Sequence, residues 1–364
     1  MKNYKKKIII ATGGTGGHIF PSLSLADFLK KKYFVEIITD KRGLQYLNNY
    51  NNVNIRIINS GTIFQKNIFQ IFFGIIKVIR SFILSLVFMI IYRPKLIIGM
   101  GGYSSFPVCL AGFFLRIPTL IYENNIIIGR ANKYLLPFVN KIFVSSNSIK
   151  GIKNKYNKKI FFSGFLIRNT ILNLQKDKKE KSKNNLSILI MGGSQSAKIF
   201  GDILPDVIIK CFQRGYKFKI YQQCTDKQVN EIRKKYQKFN IEFELFSFSG
   251  DMSKYYRQAD LAITRSGASS LAELINLRIP FIALPLPSSV DNHQFMNAKY
   301  FQMKGYCFLL EEKFVSDKLM DILIDLHKNE KKLFLISEKM SEHSDKNVFS
   351  KVEKLIKEIL NEQN

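Results

Sequence analysis

Residues 8–18 read Ile8-Ile9-Ile10-Ala11-Thr12-Gly13-Gly14-Thr15-Gly16-Gly17-His18. Three β-branched residues running into a cluster of glycines make a short buried strand and a tight turn. The amphipathic stretch Phe20–Lys32 follows at once and has the length of a helix. Strand, glycine turn and helix in succession are how a doubly wound α/β domain opens. The glycines remove the Cβ atoms that would keep a ligand off the backbone. The helix start offers unpaired N–H groups and a positive dipole end to an anion. The dinucleotide pattern G-x-G-x-x-G is not met, so a dinucleotide is not implied.

Outward from this turn the same grammar repeats. Phe34–Thr39, Lys95–Gly99, Pro118–Tyr122 and Lys141–Ser145 read as further buried strands. Gln175–Asn185 is charged, lacks apolar periodicity and reads as a solvated loop just beyond a domain junction. The pattern then restarts, with Ser187–Met191 a strand, Gly192-Gly193-Ser194 a turn and Ile199–Phe212 a helix. Lys217–Tyr221, Ile241–Leu245, Leu261–Thr264 and Phe281–Leu284 continue it, and Val348–Leu360 reads as a terminal amphipathic helix. The expectation is two Rossmann-like domains, each a doubly wound parallel sheet, facing across a cleft. The first covers 1–165 and the second 166–344, with about 345–364 packing back on the first. A chain of 364 residues is longer than one core usually accommodates.

Fifty-six Lys and Arg against 28 Asp and Glu give a net charge of +28, which favours anionic partners such as acidic lipid surfaces or phosphorylated substrates. A nucleic-acid module would cluster its basic residues among aromatics on one element. Here they are scattered, so no nucleic-acid partner is expected. Cys109, Cys211, Cys224 and Cys307 have neither zinc-type nor disulfide-framework spacing. The apolar run at the N-terminus is too short for a signal peptide.

Ile68–Tyr92 (IFQIFFGIIKVIRSFILSLVFMIIY) invites reading as a membrane span. Lys77 and Arg80 at its centre argue against that, each costing roughly 2.5–3.5 kcal/mol at mid-bilayer. Gln70, Gly74, Lys77, Ser81 and Ser85 form a narrow polar stripe on an otherwise apolar helix. Taken alone, the segment reads as a helix packed on the sheet. Its excess of apolar residues, flanked by Lys66, Lys77, Arg80, Arg93 and Lys95, keeps open a contact with an anionic bilayer.

Several motifs carry chemistry. His18 places a titratable group at the mouth of the first glycine turn, where it suits acid–base work. Gly192-Gly193-Ser194-Gln195-Ser196 suits a diphosphate. Arg265-Ser266-Gly267-Ala268-Ser269-Ser270-Leu271-Ala272-Glu273 is a further glycine turn into a helix, with Glu273 placed to accept hydrogen bonds from a ribose diol. Asp291-Asn292-His293-Gln294 follows a strand end, where open α/β sheets bind ligands. No Asp-x-Asp occurs to hold a divalent ion on a diphosphate, so no metal site and no cofactor is expected.

These motifs, with GMGGY at 99–103 and Glu123-Asn124-Asn125, stand in the order found in one family. The chain resembles, over nearly its whole length, glycosyltransferase family 28. Its bacterial members add N-acetylglucosamine to undecaprenyl-pyrophosphoryl-MurNAc-pentapeptide, converting lipid I to lipid II. The resemblance implies a GT-B fold, an inverting transfer from UDP-GlcNAc and a peripheral position on the cytoplasmic side of the bacterial inner membrane. It implies UDP-GlcNAc, the undecaprenyl-linked lipid acceptor, an anionic membrane surface and other cell-wall synthesis proteins as partners. Under it, His18 is the base or acceptor contact. Thr15, Gly16 and Gly17 approach the donor, Asn125 and Arg168 match donor-site positions, and Ser194 meets the diphosphate. Ser249 stands beside the uracil, Ala268, Ser269, Ser270, Leu271, Ala272 and Glu273 beside the nucleoside, and Gln294 at the sugar hydroxyls. The apolar segment then becomes a membrane contact.

Departures from the family pattern fall at Gly164-Phe165-Leu166-Ile167-Arg168, where Gly-Asn-Pro-Val-Arg is usual; at Tyr122–Asn125, where His-Glu-Gln-Asn is usual; at Ser196, usually Gly; and at Ser249, usually apolar. Loss of the proline implies a less constrained turn between the domains. A related transferase acting on another lipid or natural-product acceptor would show the same glycine turns.

Overall fold

Ile8, Ile9, Ile10 and Ala11 are wholly shielded from solvent, as a strand covered on both faces requires. The computed structural model describes residues 5–47, 50, 53–61, 67–174, 186–193, 198–247 and 251–361. The charged stretch 175–185, Lys66, Ser194, Ser196 and Ser249 lie outside them. The chain divides into two compact units. Unit 1 comprises Met1–Arg168 and Asp345–Asn364, and unit 2 comprises Asn169–Ser344. Leu166–Arg168, expected at the start of the second domain, thus group with the first.

In unit 1 the elements run β1 (Lys7–Ala11), α1 (Gly16–Leu29), β2 (Phe34–Thr39), α2 (Lys41–Leu44), β3 (Asn54–Ile57), α3 (Ile68–Tyr92) and β4 (Leu96–Gly99). They continue with α4 (Ser105–Phe114), β5 (Thr119–Glu123), α5 (Arg130–Leu135), β6 (Lys141–Val144) and β7 (Ile160–Phe162). Among the described residues the strands form one parallel sheet ordered β3-β2-β1-β4-β5-β6-β7. Ile9, Ile97, Ile121 and Ile142 carry its core together with Met89, Val108 and Leu135 from the helices.

Unit 2 begins with α6 (Asn169–Leu172), β8 (Leu186–Met191), α7 (Lys198–Asp202), α8 (Leu204–Gln213), β9 (Phe218–Gln223) and α9 (Asp226–Lys238). Next come β10 (Glu242–Phe246), α10 (Ser253–Gln258), β11 (Leu261–Thr264), α11 (Ala268–Asn276) and β12 (Phe281–Ala283). It closes with α12 (His293–Met303), β13 (Cys307–Leu309), α13 (Val315–Lys328) and α14 (Glu330–Met340). Its sheet is parallel and ordered β10-β9-β8-β11-β12-β13. The helix expected over Ile199–Phe212 is two, because Pro205 cannot donate a backbone hydrogen bond and sits instead in the first turn of α8.

In both sheets the strand order reverses beside the first strand, between β1 and β4 and between β8 and β11. The crevice beyond the carboxyl ends of such a pair is where doubly wound sheets bind ligands. Thr12–Thr15 and Met100–Gly102 occupy that place in unit 1, and Gly192, Gly193 and Arg265–Gly267 occupy it in unit 2.

The last helix, α15 (Val348–Asn361), completes unit 1. Phe349 stacks on Phe28 of α1 at 5.1 Å between centroids, and Glu353 pairs with Lys32 at 2.5 Å. Just before it, the Asp345 carboxylate accepts a hydrogen bond from Phe165 N at 2.9 Å.

Helix α3 overturns the reading of Ile68–Tyr92 as a core helix. Gly74, Ser81, Ser85 and Met89 face the protein, while Ile79, Ile83, Val87 and Ile90 are each more than half exposed. The small residues let the helix backbone approach closely. A Cβ on Gly61 would lie 2.9 Å from Gly74 O, and Ser81 Oγ donates to Asn59 O at 2.6 Å. Part of the polar stripe is therefore the packing face and the apolar face is left outside. By length and composition α3 could cross a membrane, but its inward edge is packed from Gly74 to Met89. A left-handed Arg93 followed by Pro94 ends it.

Candidate functional site

The first glycine turn in unit 1 is shaped by a second one lying against it. Met100 N donates to Ala11 O at 2.8 Å, which brings Gly101 and Gly102 alongside Thr12–Gly14. A Cβ on Gly102 would stand 2.6 Å from Gly13 O, and one on Gly101 would stand 2.8 Å from the His18 ring. Both glycines have positive φ, +91° for Gly101 and +80° for Gly102. The His18 imidazole is half-buried against bare backbone as a result.

Beneath the turn sits Asp40, which is buried. Its Oδ2 accepts from Ser104 Oγ at 2.7 Å and Arg42 Nη2 at 2.6 Å, and its Oδ1 accepts from Gly43 N at 2.9 Å. Burial pushes this carboxyl upward, but the bonds from Arg42, Ser104 and Gly43 outweigh it and hold it below the ordinary carboxylate value. Ser104 Oγ fills the space a side chain at Gly13 would need, at 2.3 Å from a Cβ there.

Thr15 is the exposed N-cap residue of α1, Gly16 is buried and Gly17 is partly exposed. Pro21 inside α1 has no N–H to donate back to Gly17 O. Asn124 Nδ2 reaches that carbonyl instead, at 3.5 Å. Asn125 donates from both its N and Nδ2 to Glu123 Oε1 at 3.0 Å. The other Glu123 oxygen takes Gly129 N at 2.8 Å and Asn132 Nδ2 at 2.9 Å, so one buried carboxylate organises the loop after β5. The Arg168 guanidinium lies over the Phe20 ring at 5.2 Å.

The segment Gly164–Arg168, where the usual proline is Leu166, is tied rather than loose. Leu166 N donates to Tyr122 Oη at 3.1 Å, a bond a proline could not make, and Phe165 N is held by Asp345. Gly164 has φ +99°, and a Cβ there would meet Asp345 Oδ1 at 2.5 Å.

In unit 2, Gly192 N donates to Gln223 Oε1 at 3.2 Å, and Gly193 adopts φ +75°, where a Cβ would meet nothing within 4 Å among the described residues. Gly267 is the extended N-cap of α11. Ser269 and Ser270 are partly exposed there, whereas Leu271 and Ala272 are fully buried. Glu273 Oε2 accepts from the buried Tyr256 hydroxyl at 2.7 Å. Gln294 Oε1 accepts from Ser266 N at 3.2 Å and Leu286 N at 3.0 Å, which commits its carbonyl and turns its amide N–H groups away from those two amides. Asn297 Nδ2 donates to Ser266 O at 3.1 Å and braces the same turn. Asp291 and Asn292, before α12, are consecutive left-handed residues, a strained conformation of the kind that gathers at functional sites.

Arg265 is taken up internally. Its Nη2 pairs with Glu312 at 2.6 Å, its Nη1 donates to Leu284 O and Pro285 O at 3.3 Å, and it lies over the Phe200 ring. These contacts tie the loop after β11 to the loop after β12. The sequence gives no signal for Tyr256, Asp40 and Ser104, and marks Tyr122 only as a departure from the family pattern, since each has a partner distant in sequence. Among the described residues no group of three His, Cys, Asp or Glu could hold a metal ion.

Each unit thus carries a glycine turn at its own switch point, with an imidazole beyond the turn in unit 1 and a carboxylate beyond the turn in unit 2. The glycosyltransferase family 28 N-terminal domain matches residues 8–144 and its C-terminal domain matches residues 187–358. A protein of Pelagibacter ubique is 36% identical over 358 residues, covering 98% of this chain and 99% of its own. It bears the name UDP-N-acetylglucosamine–N-acetylmuramyl-(pentapeptide) pyrophosphoryl-undecaprenol N-acetylglucosamine transferase. A Rickettsia felis protein of the same name is 36% identical over 90% of this chain and 92% of its own. The crystal structure of Acinetobacter baumannii MurG superposes with a TM-score of 0.77 at 25% identity, covering 97% of this chain and 99% of that one.

Proposed function

The chain belongs to glycosyltransferase family 28 and has its two parallel-sheet domains of GT-B type, and from that premise we propose that it transfers N-acetylglucosamine from UDP-GlcNAc to the C4 hydroxyl of MurNAc in undecaprenyl-pyrophosphoryl-MurNAc-pentapeptide. This converts lipid I to lipid II, the last cytoplasmic step of peptidoglycan precursor synthesis. The observation that carries the reading is the 36% identity, over 98% of the chain, to a relative named for this transfer.

In the proposed reaction the acceptor oxygen attacks the anomeric carbon on the face opposite UDP. The new C–O bond forms as the bond to the diphosphate oxygen breaks, the configuration inverts, and UDP leaves with the electron pair. The acceptor proton passes to His18, whose ring is held against Gly101. Unit 2 holds the donor. Glu273, oriented by Tyr256, receives the ribose hydroxyls; Ala268–Ala272 and Ser249 flank the nucleoside; Gln294 donates to the sugar. Ser194 and the backbone N–H groups of the glycine turns meet the charge developing on UDP, with no metal ion required. In unit 1, Thr15, Gly16, Gly17, Asn125 and Arg168 stand at positions that match the family's donor-site motifs. The exposed apolar face of α3, with Lys77 and Arg80 exposed beside it, attaches unit 1 to an anionic bilayer without spanning it.

The test is turnover of UDP-GlcNAc and the undecaprenyl-linked muramyl pentapeptide by the isolated protein. Formation of the lipid-linked disaccharide is expected, with calorimetry ranking UDP-GlcNAc above UDP-glucose and UDP-GalNAc. Failure on this acceptor with turnover on another lipid would replace the acceptor assignment.

A further inference from the structure

One hydroxyl joins two parts of unit 1 that are far apart in sequence. Tyr122 is wholly buried, and its Oη stands between the segment Gly164–Arg168, which leads out of unit 1, and Asn124. Leu166 N–H, itself buried, donates to Tyr122 Oη at 3.1 Å. The single hydroxyl hydrogen then goes to Asn124 Oδ1 at 3.0 Å rather than to Gly164 O at 3.4 Å. Asn124 Nδ2 donates to Gly17 O at 3.5 Å, the carbonyl that Pro21 cannot serve. Ser145 Oγ fixes Asn124 from behind by donating to its carbonyl at 2.9 Å. Donors and acceptors thus run in one direction, from Leu166 through Tyr122 and Asn124 to the residue before His18. In a water-poor interior such a line is mutually reinforcing, and breaking it strands a buried N–H.

We infer that Tyr122 is a positioning residue for the transfer reaction: it ties the segment carrying Arg168 to the glycine turn carrying His18, and sets the imidazole's place through Asn124. The inference rests on the transferase reading for its kinetic consequence, but not for the hydrogen-bond line itself.

Two variants of the full chain separate the links. Tyr122→Phe keeps the ring and removes the hydroxyl; Asn124→Ala keeps the Leu166–Tyr122 bond and breaks the next. Three quantities are read: amide hydrogen exchange at Leu166, the imidazole resonance of His18 (one of four histidines), and kcat against donor KM. Tyr122→Phe should speed exchange at Leu166 by about 10-fold or more, shift the His18 resonance and lower kcat by about 10-fold, with donor KM little changed. Asn124→Ala should shift His18 and lower kcat while leaving Leu166 exchange as in the parent. Unchanged Leu166 exchange in Tyr122→Phe would overturn the tie. Faster exchange with an unmoved His18 resonance, or with kcat unaltered, would reduce Tyr122 to a packing residue and overturn the positioning role. A parent protein that forms no disaccharide defeats the transferase reading instead, and the exchange and resonance arms still decide the hydrogen-bond line.

Discussion

Tyr256 donates its hydroxyl hydrogen to Glu273 Oε2 across 2.7 Å, and both side chains are buried. The bond sets the carboxylate's orientation before any ligand arrives. Tyr256→Phe should therefore raise donor KM roughly 10-fold, the worth of one hydrogen bond to a charged group, with kcat nearly unchanged. Glu273→Ala should cost more on the same axis. Steady-state kinetics at saturating acceptor checks both; a fall confined to kcat would place Glu273 elsewhere in the cycle.

His18 and Gly101 are expected to fail separately. His18→Ala should collapse turnover while calorimetric donor affinity stays close to that of the parent. Gly101→Ala adds a Cβ 2.8 Å from the His18 ring at a residue with φ +91°. It should cost about 1–3 kcal/mol of stability and about 100-fold in kcat from the displaced imidazole. Thermal unfolding and single-turnover rates would measure the two effects.

Charge placed on the outer face of α3 should detach the protein from lipid without unfolding it. Ile79 and Ile83 are 53% and 52% exposed, so Ile79→Glu with Ile83→Glu should change stability by only about 0.5 kcal/mol each. Sedimentation with anionic vesicles should drop sharply, and the parent's own binding should weaken as salt rises. Ser85→Leu, on the packed edge, should instead cost about 1–3 kcal/mol. Equal vesicle binding by the double Glu variant would remove α3 from the attachment surface.

Which parts of this could be read from residues alone follows from how local the signals are. The strand Phe34–Thr39 stands where its β-branched run places it, and each glycine turn sits beyond its strand, because run length and glycine are properties of neighbouring residues. Strand β3 alternates polar and charged residues with isoleucine, and β7 and β13, though apolar, are only three residues long, too short to announce themselves. For α3 the segment alone favours a helix packed on the sheet and the family resemblance favours a membrane contact, since an apolar helix gives the same pattern whether the sheet or a bilayer covers it. The pairing of Arg265 with Glu312 joins residues 47 positions apart, which no local pattern announces.

Acid should loosen unit 1 through Asp40. Its carboxyl lies below the ordinary 3.8 in the folded protein, as the hydrogen bonds from Arg42, Ser104 and Gly43 outweigh burial. The stabilisation is complete above that ordinary value and disappears as pH falls through the lower folded one. Asp40→Asn should flatten this part of a stability-against-pH profile recorded by denaturant titration. A profile identical to the parent's below pH 4 would show that other carboxylates govern the acid limb.

Turnover should persist in EDTA, since backbone N–H groups and helix termini are assigned the diphosphate's charge. Activity lost to the chelator and regained with a divalent ion would require a metal bridging the donor.

The attachment of α15 to α1 bears on how the chain is made. Unit 1 is assembled from two stretches with all of unit 2 between them. A ribosome therefore releases most of unit 1 long before the helix that covers Phe28 exists. At ordinary elongation rates that interval lasts roughly 10–35 s. Throughout it the nascent chain shows water two greasy surfaces, one awaiting its own C-terminal helix and one, the outer face of α3, that stays exposed among the described residues. Chaperone engagement or early arrival at a lipid surface would shield both, and a transcript cut before Asp345 would leave the first bare for good.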